Sequence, residues 1–493
     1  MSIDQIIHDF VTKASAKHRI HVLDYYYAVN RLLHLLQLDK FDTELLPSLP
    51  LPKLLDSLDQ LVAYAVKKEI IADTPRARDE FEAQIMDVLT PLPSTVNKEF
   101  WESYQEAPMR ATDDFYQLCR DNDYIKTRQI AKNEEYTVSS PYGDLSITIN
   151  LSKPEKTRQE ILEAQKVTDE YPKCQLCAEN EGYHGRPGIA GRTNHRVIRI
   201  PIHGENWGFQ YSPYAYYNEH CIIFTKKHIP MNVGTHTIHN LLELVTVLPH
   251  YFVGSNAGLP IVGGSMLGHE HYQGGRHTFP MESAKVLDTW QWQTQPEVTA
   301  ERLYWPMSVV RLRSDDKEAL IQAGTELMQA WESYSNEALA IVAATNTEKH
   351  NAVTLIARRN GSAYELDVVL RNNRTTEAFP DGIFHPHQDV QHIKKENIGL
   401  IEVLGLAILP PRLKTELADV ESYLAGEEVT VAPYHQEWAD TLKLQRDTAD
   451  TDVMAVVQSA VGQKFQRVLE DAGVFKYTTE GQEAFDVFMN QFK

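Results

Sequence analysis

Cysteine is too scarce in this chain to build a disulfide framework. Its 493 residues hold only Cys119, Cys174, Cys177 and Cys221, far from the density of small cross-linked secreted domains. Positive charge is scarce as well: 48 Lys and Arg face 68 Asp and Glu, a formal net charge of −20. A chain this acidic is poorly suited to sequence-blind binding of nucleic acid or of an anionic membrane, so neither partner is expected. Any phosphorylated ligand must be held by local basic groups and backbone N–H groups against the overall field. The start, Met1-Ser2-Ile3-Asp4-Gln5, has no basic segment followed by an apolar core, and no uncharged run approaches a membrane span. With 42% hydrophobic and 24% charged residues, the expectation is a cytoplasmic globular enzyme or binding protein of two or three units.

What is present divides into three stretches. From Ile20 to Leu38, apolar and aromatic residues recur at three- and four-residue spacing, which predicts a helix. Pro47, Pro50 and Pro52 interrupt it, and helices are expected at 53–71 and 76–90, before Pro91 and Pro93. The run Tyr25-Tyr26-Tyr27 reads as packing. Residues 1–130 thus form a helical N-terminal region. Near Tyr136 the pattern changes: Leu145, Ile147, Ile149 and Leu151 alternate with polar residues after the turn-like Pro141-Tyr142-Gly143-Asp144, predicting a hairpin. A charged helix from Pro154 to Glu170, strands at 197–202 and 221–225, and a helix at 241–252 complete a block over 131–285. A second block over 286–493 is expected to carry strands at 309–312, 352–357 and 365–370, a helix at 317–334 and another from about Ile393. The fold class is α+β, two blocks of mostly antiparallel sheet with packed helices.

The densest chemistry lies in Gly263-Gly264-Ser265-Met266-Leu267-Gly268-His269-Glu270-His271-Tyr272-Gln273-Gly274-Gly275. Glycines allow backbone N–H groups to close on an anion, and alternate residues of an extended segment put His269, His271 and Gln273 on one side. One ring can bind a metal or orient its neighbour while the other attacks phosphorus, with Gln273 as an uncharged amide donor. His385-Pro386-His387 repeats the spacing 116 positions later. Two such triplets among 20 histidines fit either an old duplication or coincidence.

Cys174-Gln175-Leu176-Cys177 has the spacing of half a tetrahedral zinc site. No helix N-terminus follows it to lower a thiolate pKa, so zinc is the better reading than a redox pair. His228 and His269 are candidates for the missing ligands; cysteines without a metal are the bland alternative.

The chain resembles the galactose-1-phosphate uridylyltransferase family, in the class typical of Gram-positive sugar metabolism, across nearly its full length. The resemblance is carried by Asn194-His195-Arg196, by Phe209 through Cys221 (FQYSPYAYYNEHC), by the Gly263 to Gly275 segment, and by His385-Pro386-His387 through Gly399. The better-studied class carries His-Pro-His-x-Gln where this chain has His269-Glu270-His271-Tyr272-Gln273, so the intervening Pro is replaced by Glu. Both are members of the histidine-triad superfamily, whose hydrolases have a third His where Gln273 stands.

The resemblance implies a fold of two histidine-triad-like blocks, His271 as nucleophile and Gln273 on the phosphoryl oxygens. It implies Zn2+ at Cys174, Cys177, His228 and His269. The better-studied class holds a second metal through a Glu and a later His-x-His, for which Glu282, His385 and His387 are the candidates here. Its reaction transfers a uridylyl group from UDP-glucose to galactose 1-phosphate, giving UDP-galactose and glucose 1-phosphate through a uridylyl-histidine. Gly264 and Ser265 would line the phosphoryl site, Asn206, Trp207 and Asn256 the uridine, and Lys394, Lys395 and Glu396 the second sugar phosphate. A homodimer is expected. A nucleotide hydrolase or phosphorylase of the same superfamily, or a non-catalytic nucleotide-binding protein, is the competing reading; Gln273 argues against the hydrolase and His271 against the idle scaffold.

Overall fold

The computed structural model describes residues 1–17, 19–152, 171–263, 266–446 and 452–493. The charged helix expected from Pro154 to Glu170 lies outside the described residues. The strands are β1 Glu134–Ser140, β2 Gly143–Ile149, β3 Ile198–Ile202, β4 Glu205–Tyr211, β5 Cys221–Phe224, β6 Phe252–Ser255, β7 His271–Gly275, β8 Val286–Trp292, β9 Gln295–Leu303, β10 Val309–Ser314, β11 Ala344–Thr345, β12 Glu348–Lys349, β13 Asn351–Asn360, β14 Ala363–Asn372 and β15 Leu406–Leu409. Ten of them form one sheet in the order β3-β4-β5-β7-β6-β13-β14-β10-β9-β8. The fold is mixed helix and sheet, as the α+β expectation required.

By compactness the chain divides into two units. The described residues of the first fall within Met1–Arg128, Pro154–Ala215 and Ile222–His228. Its helices start where the sequence puts caps: Ser2 accepts from the Gln5 N–H and Thr74 from the Ala77 N–H, while Pro75, Pro93 and Pro108 occupy first turns. The long helix expected over 20–38 is shorter, a 3-10 turn at Val22–Asp24 followed by Tyr25–Leu35. Tyr26 and Tyr27 are 63% and 66% exposed, so of the tyrosine run only Tyr25 packs against the core. Leu32, Val29 and Ala28 supply the buried face of this helix, in a core with Phe10, Leu58, Leu61 and Ile85. Helices Pro93–Glu106 and Pro108–Asp121 pack on β3 and β4 through Phe100, Phe115, Phe209 and Tyr211. Asn97 donates to the Val197 carbonyl at 2.9 Å and Trp101 to that of Arg199 at 3.2 Å.

The second unit comprises Gln129–Lys153, Tyr216–Cys221 and the described residues of Ile229–Lys493. The hairpin at Pro141–Asp144 forms, with Leu145, Ile147 and Ile149 buried on one face of β2. β15 adds to β2 in parallel, and with β1 they make a small separate sheet. Strands β6, β13, β14, β10, β9 and β8 pair antiparallel in succession. Helix Lys317–Ser333 begins on Asp316, whose carboxylate accepts from two backbone N–H groups.

Two expected helices are displaced. That of 241–252 begins earlier, at Thr235, and ends at Val247, because Phe252 is already in β6. No helix runs on from Ile393. Glu402 accepts from the Gly399 N–H and from Lys394 Nζ, so its capping interaction starts a short new helix, Leu400–Val403, and ties the preceding turn inward.

Candidate active site and metal centre

His271 opens β7, and alternation puts Gln273 on the same face of that strand. β7 pairs with β6 so that Gly254 faces Gln273 and Val253 faces Gly274. The glycines here are required by packing: a Cβ on Gly274 would lie 2.7 Å from the Phe252 carbonyl oxygen, and one on Gly263 would lie 2.3 Å from that of Ala257. Ile261 and Met266, at φ 71° and 69°, sit in the left-handed region on either side of Gly264 and Ser265, a conformation that costs about 1–3 kcal/mol per non-glycine residue. Gly264 and Ser265 themselves lie outside the described residues.

The ring of His271 is buried, and its Nδ1 is 2.7 Å from the His269 carbonyl oxygen. A carbonyl only accepts, so the proton sits on Nδ1 and the neutral ring keeps its lone pair on Nε2. Burial also lowers its pKa, which favours that neutral form. An imidazole so held is oriented for attack through Nε2.

Between the two histidines, Glu270 turns to the opposite face of the segment. Its N–H donates to the Ile229 carbonyl at 2.7 Å, its carboxylate accepts from Tyr272 Oη at 2.9 Å, and Asn240 donates to the same Oη at 3.0 Å. A Pro at this position would have neither the N–H nor the carboxylate. The departure from His-Pro-His therefore has a local reason, a carboxylate that clips the segment to helix Thr235–Val247.

The ligand atoms of Cys174, Cys177, His228 and His269 all lie within 4.8 Å of one another. The Cys174 and Cys177 sulfurs are 3.6 Å apart and His228 Nδ1 is 3.3 Å from Cys177 Sγ. Bond lengths of about 2.3 Å to sulfur and 2.0 Å to nitrogen in a tetrahedron place such pairs roughly 3.5–3.8 Å apart, so the set fits a four-coordinate ion. Asn180 closes the knuckle, donating to the Cys174 and Cys177 carbonyls at 2.7 and 2.9 Å. Hydrogen bonding from Cys177 lowers the Cys174 thiol to about 7, towards the thiolate a metal requires. Asn180 was not singled out in the sequence; only its place three residues after Cys177 marks it.

Glu282, His385 and His387, the candidates for a second metal, form no ligand group among the described residues. Glu282 caps the Phe279 N–H at 2.9 Å and faces Arg358 at 3.6 Å. Arg358 and Arg311 also hold Asp367, at 2.8 and 2.7 Å, and reach Glu365. Arg313 adds a third guanidinium, 2.6 Å from Glu365, so the three carboxylates are paired with arginines within the protein. His387 Nε2 is 3.0 Å from the Ile383 carbonyl and its Nδ1 is 3.4 Å from Asp471, so both nitrogens face oxygen acceptors. His385 Nδ1 is 3.3 Å from the Pro386 carbonyl. Among the described residues, only the Cys174 group brings three or more such ligands together.

Of the residues assigned to substrate, Lys394 is corrected. It is buried, bonded to Glu402 and to the Ile408 carbonyl at 2.9 Å each, with Glu396 at 3.6 Å, so its three donors are engaged within the protein. Lys395 and Glu396 are exposed. Asn256 is buried and its Oδ1 accepts from the Leu400 N–H at 2.9 Å. Trp207 is buried in β4 and Asn206 beside it is exposed. Asn194-His195-Arg196 serves structure: His195 stacks on Tyr124 at 4.5 Å and bonds Gln210, while Arg196 reaches the Pro91 and Thr193 carbonyls and Asp87.

Glu219 and His220, just before β5, lie in the FQYSPYAYYNEHC stretch that carries the resemblance, where the sequence gives them no role of their own. His220 Nε2 lies 3.1 Å from Gln273 Oε1. Glu219 is fully buried and binds Arg276 and Tyr251.

No helix of the described residues is long and apolar enough to cross a membrane. The model of a family described as galactose-1-phosphate uridyl transferase matches the chain twice, its N-terminal domain over residues 18–230 and its C-terminal domain over residues 245–440. Galactose-1-phosphate uridylyltransferase 2 of Streptococcus pneumoniae serotype 4 is 52% identical over 489 residues, covering 99% of this chain and 98% of its own. The galactose-1-phosphate uridylyltransferase of Streptococcus thermophilus strain CNRZ 1066 is 50% identical over the same shares. Among solved structures, yeast Ap4A phosphorylase Apa2 overlaps with a TM-score of 0.33 and 14% identity, over 67% of this chain and 96% of that one.

Proposed function

The chain belongs to the galactose-1-phosphate uridyl transferase family, and from that premise we propose that it moves a uridylyl group from UDP-glucose to galactose 1-phosphate by two displacements on His271. The observation that carries the reading is the His271 Nδ1 contact with the His269 carbonyl, which leaves the reactive lone pair on Nε2. Nε2 attacks the α-phosphorus of UDP-glucose and the P–O bond to glucose 1-phosphate breaks. The departing sugar phosphate keeps that electron pair, and uridylyl stays on the ring. Galactose 1-phosphate then attacks the same phosphorus through its phosphate oxygen. UDP-galactose forms, and the electron pair of the P–N bond returns to Nε2. The cationic phosphoramidate makes imidazole a good leaving group in the second half, and in the first a sugar phosphate leaves readily as its anion, so neither half needs a strong general acid. Gln273 stabilises the charge that builds on the phosphoryl oxygens through its amide N–H.

Zinc suits the Cys174, Cys177, His228 and His269 set, which has the donor types of a closed structural site. By fixing His269, such an ion orients the carbonyl that holds His271. Cytoplasmic location and a homodimer belong to the same reading, as do three functional stretches, 1–130, 131–285 and 286–493.

The test is intact mass. Mixed with UDP-glucose alone, the protein should gain one uridylyl group and exchange labelled glucose 1-phosphate into the nucleotide sugar; galactose 1-phosphate should discharge it. No mass gain, with intersecting double-reciprocal lines, means direct transfer in a ternary complex.

A further inference from the structure

Gln273 has an amide with two unlike ends, and only its N–H end suits a phosphoryl oxygen. What turns that end toward the substrate is not in β7. Gln273 Oε1 lies 3.1 Å from Nε2 of His220, a buried ring packed on Tyr217 at 4.5 Å and Tyr216 at 5.4 Å. Burial pushes His220 down to about 4, so the ring is neutral near pH 7 and carries one proton. Its Nδ1 is buried and without a hydrogen-bond partner.

Two arrangements are then possible. With the proton on Nδ1, a buried N–H is orphaned, and Gln273 must turn its NH2 to His220 and its carbonyl to the phosphoryl group. With the proton on Nε2, the unpaired atom is only an acceptor, Gln273 Oε1 is satisfied, and its NH2 faces the other way. An orphaned buried donor is the rarer and costlier state. The second arrangement is also the one compatible with an anion.

The loop that carries His220 is built to hold it. Glu219 Oε1 accepts from Arg276 Nε at 2.7 Å, Glu219 also binds Tyr251 Oη, and the His220 N–H donates to the Tyr217 carbonyl at 3.2 Å. Arg276 directly follows β7. The two ends of the His220–Gln273 contact are thereby tied to each other through a second, half-buried ion pair, Glu219 being the buried partner.

We propose that His220 is a positioning residue: its Nε2–H donates to Gln273 Oε1 and sets the amide N–H toward the phosphoryl oxygens in both halves of the transfer. The proposal rests on the reading of His271 and Gln273 as the uridylyl-transfer pair.

The experiment is a double-mutant cycle on the rate at which UDP-glucose uridylylates the full-length protein in a single turnover, read by intact mass. His220→Phe keeps an aromatic ring for Tyr216 and Tyr217 but has no donor. It should slow labelling roughly 10- to 100-fold, short of the ~10²–10³ that deleting such a donor costs outright. The half-saturating concentration of UDP-glucose should stay within about twofold, because the orientation matters to charge developing in the transition state. In a Gln273→Ala background, His220→Phe should cost nothing more. His220→Asn, a smaller side chain that cannot span the gap, should match the Phe variant and serves if the ring is not accommodated. Full losses that add in the double variant, or an unslowed His220→Phe, would overturn the proposal. If the wild type takes no label from UDP-glucose, the transfer reading fails first and the positioning role with it.

Discussion

Two His-x-His triplets occur in this chain, and their surroundings differ in kind. His269 shares a ligand cluster with two cysteines and His228, and lends its carbonyl to His271. His385 and His387 face carbonyls and the Asp471 carboxylate, and among the described residues they join no group of three or more ligands. Spacing is the same in both; only the first lies in a group of four potential metal ligands. Spacing places side chains on a face, and the partners around them decide what the chemistry is.

The sharpest way to break that contrast is to remove one ring from each triplet. His271→Ala should abolish labelling by UDP-glucose, a loss of at least ~10⁴-fold in transfer given the scale of losing a nucleophile, with the fold intact by circular dichroism. His387→Ala should keep most of the activity. The reverse result would transfer the chemistry to the second triplet.

Metal content separates the regions next. Cys177→Ser or His228→Ala should lose bound zinc and lower the melting temperature together, since a structural metal contributes folding free energy. His269→Asn should lose zinc too while retaining part of the activity. His385→Ala should leave the metal content of the purified protein unchanged.

The arginine-filled cluster around Glu282 gives a third comparison. Arg358→Leu should destabilise by about 3–5 kcal/mol in denaturant unfolding, because it leaves Asp367 and Glu365 buried with one guanidinium fewer. Zinc content should not move. Added divalent metal restoring that stability would show that a cation can replace the guanidinium and revive the second metal site.

A mild acid titration should have the smallest effect. Burial lowers His220 to about 4 and His195 to about 3, both below the ordinary 6.5, so the unfolded chain takes up protons first as pH falls. Their contribution to stability is full above about pH 6.5 and is lost as pH falls through that value toward 4 and then 3. The urea midpoint should therefore drop between pH 7 and 6, and His220→Phe should flatten that drop. A midpoint that rises on acidification would contradict the buried neutral state of both rings.

Periodicity made the helix at 317–334 and the strands β10, β13 and β14 legible, because each has an apolar face repeated over several residues. Lys394 misled, since a lysine in a charged run ordinarily faces water, and here Glu402 and the Ile408 carbonyl draw it inward. Tyr26 and Tyr27 misled in the other sense, as aromatics at helical spacing that stay exposed.

The sequence by itself determined the residue types that can do the chemistry and their local order: a Cys-x-x-Cys knuckle, alternate histidines on a strand, an amide two positions on, and glycines where backbones approach. These depend on neighbours a few residues apart, whose geometry the local backbone sets. The tertiary structure alone decided which distant groups complete them. It set His220 against Gln273 across 53 positions and paired Glu282 with Arg358 from 76 positions away. Burial removes water from these groups, and each must then be satisfied by whatever side chain the fold brings beside it.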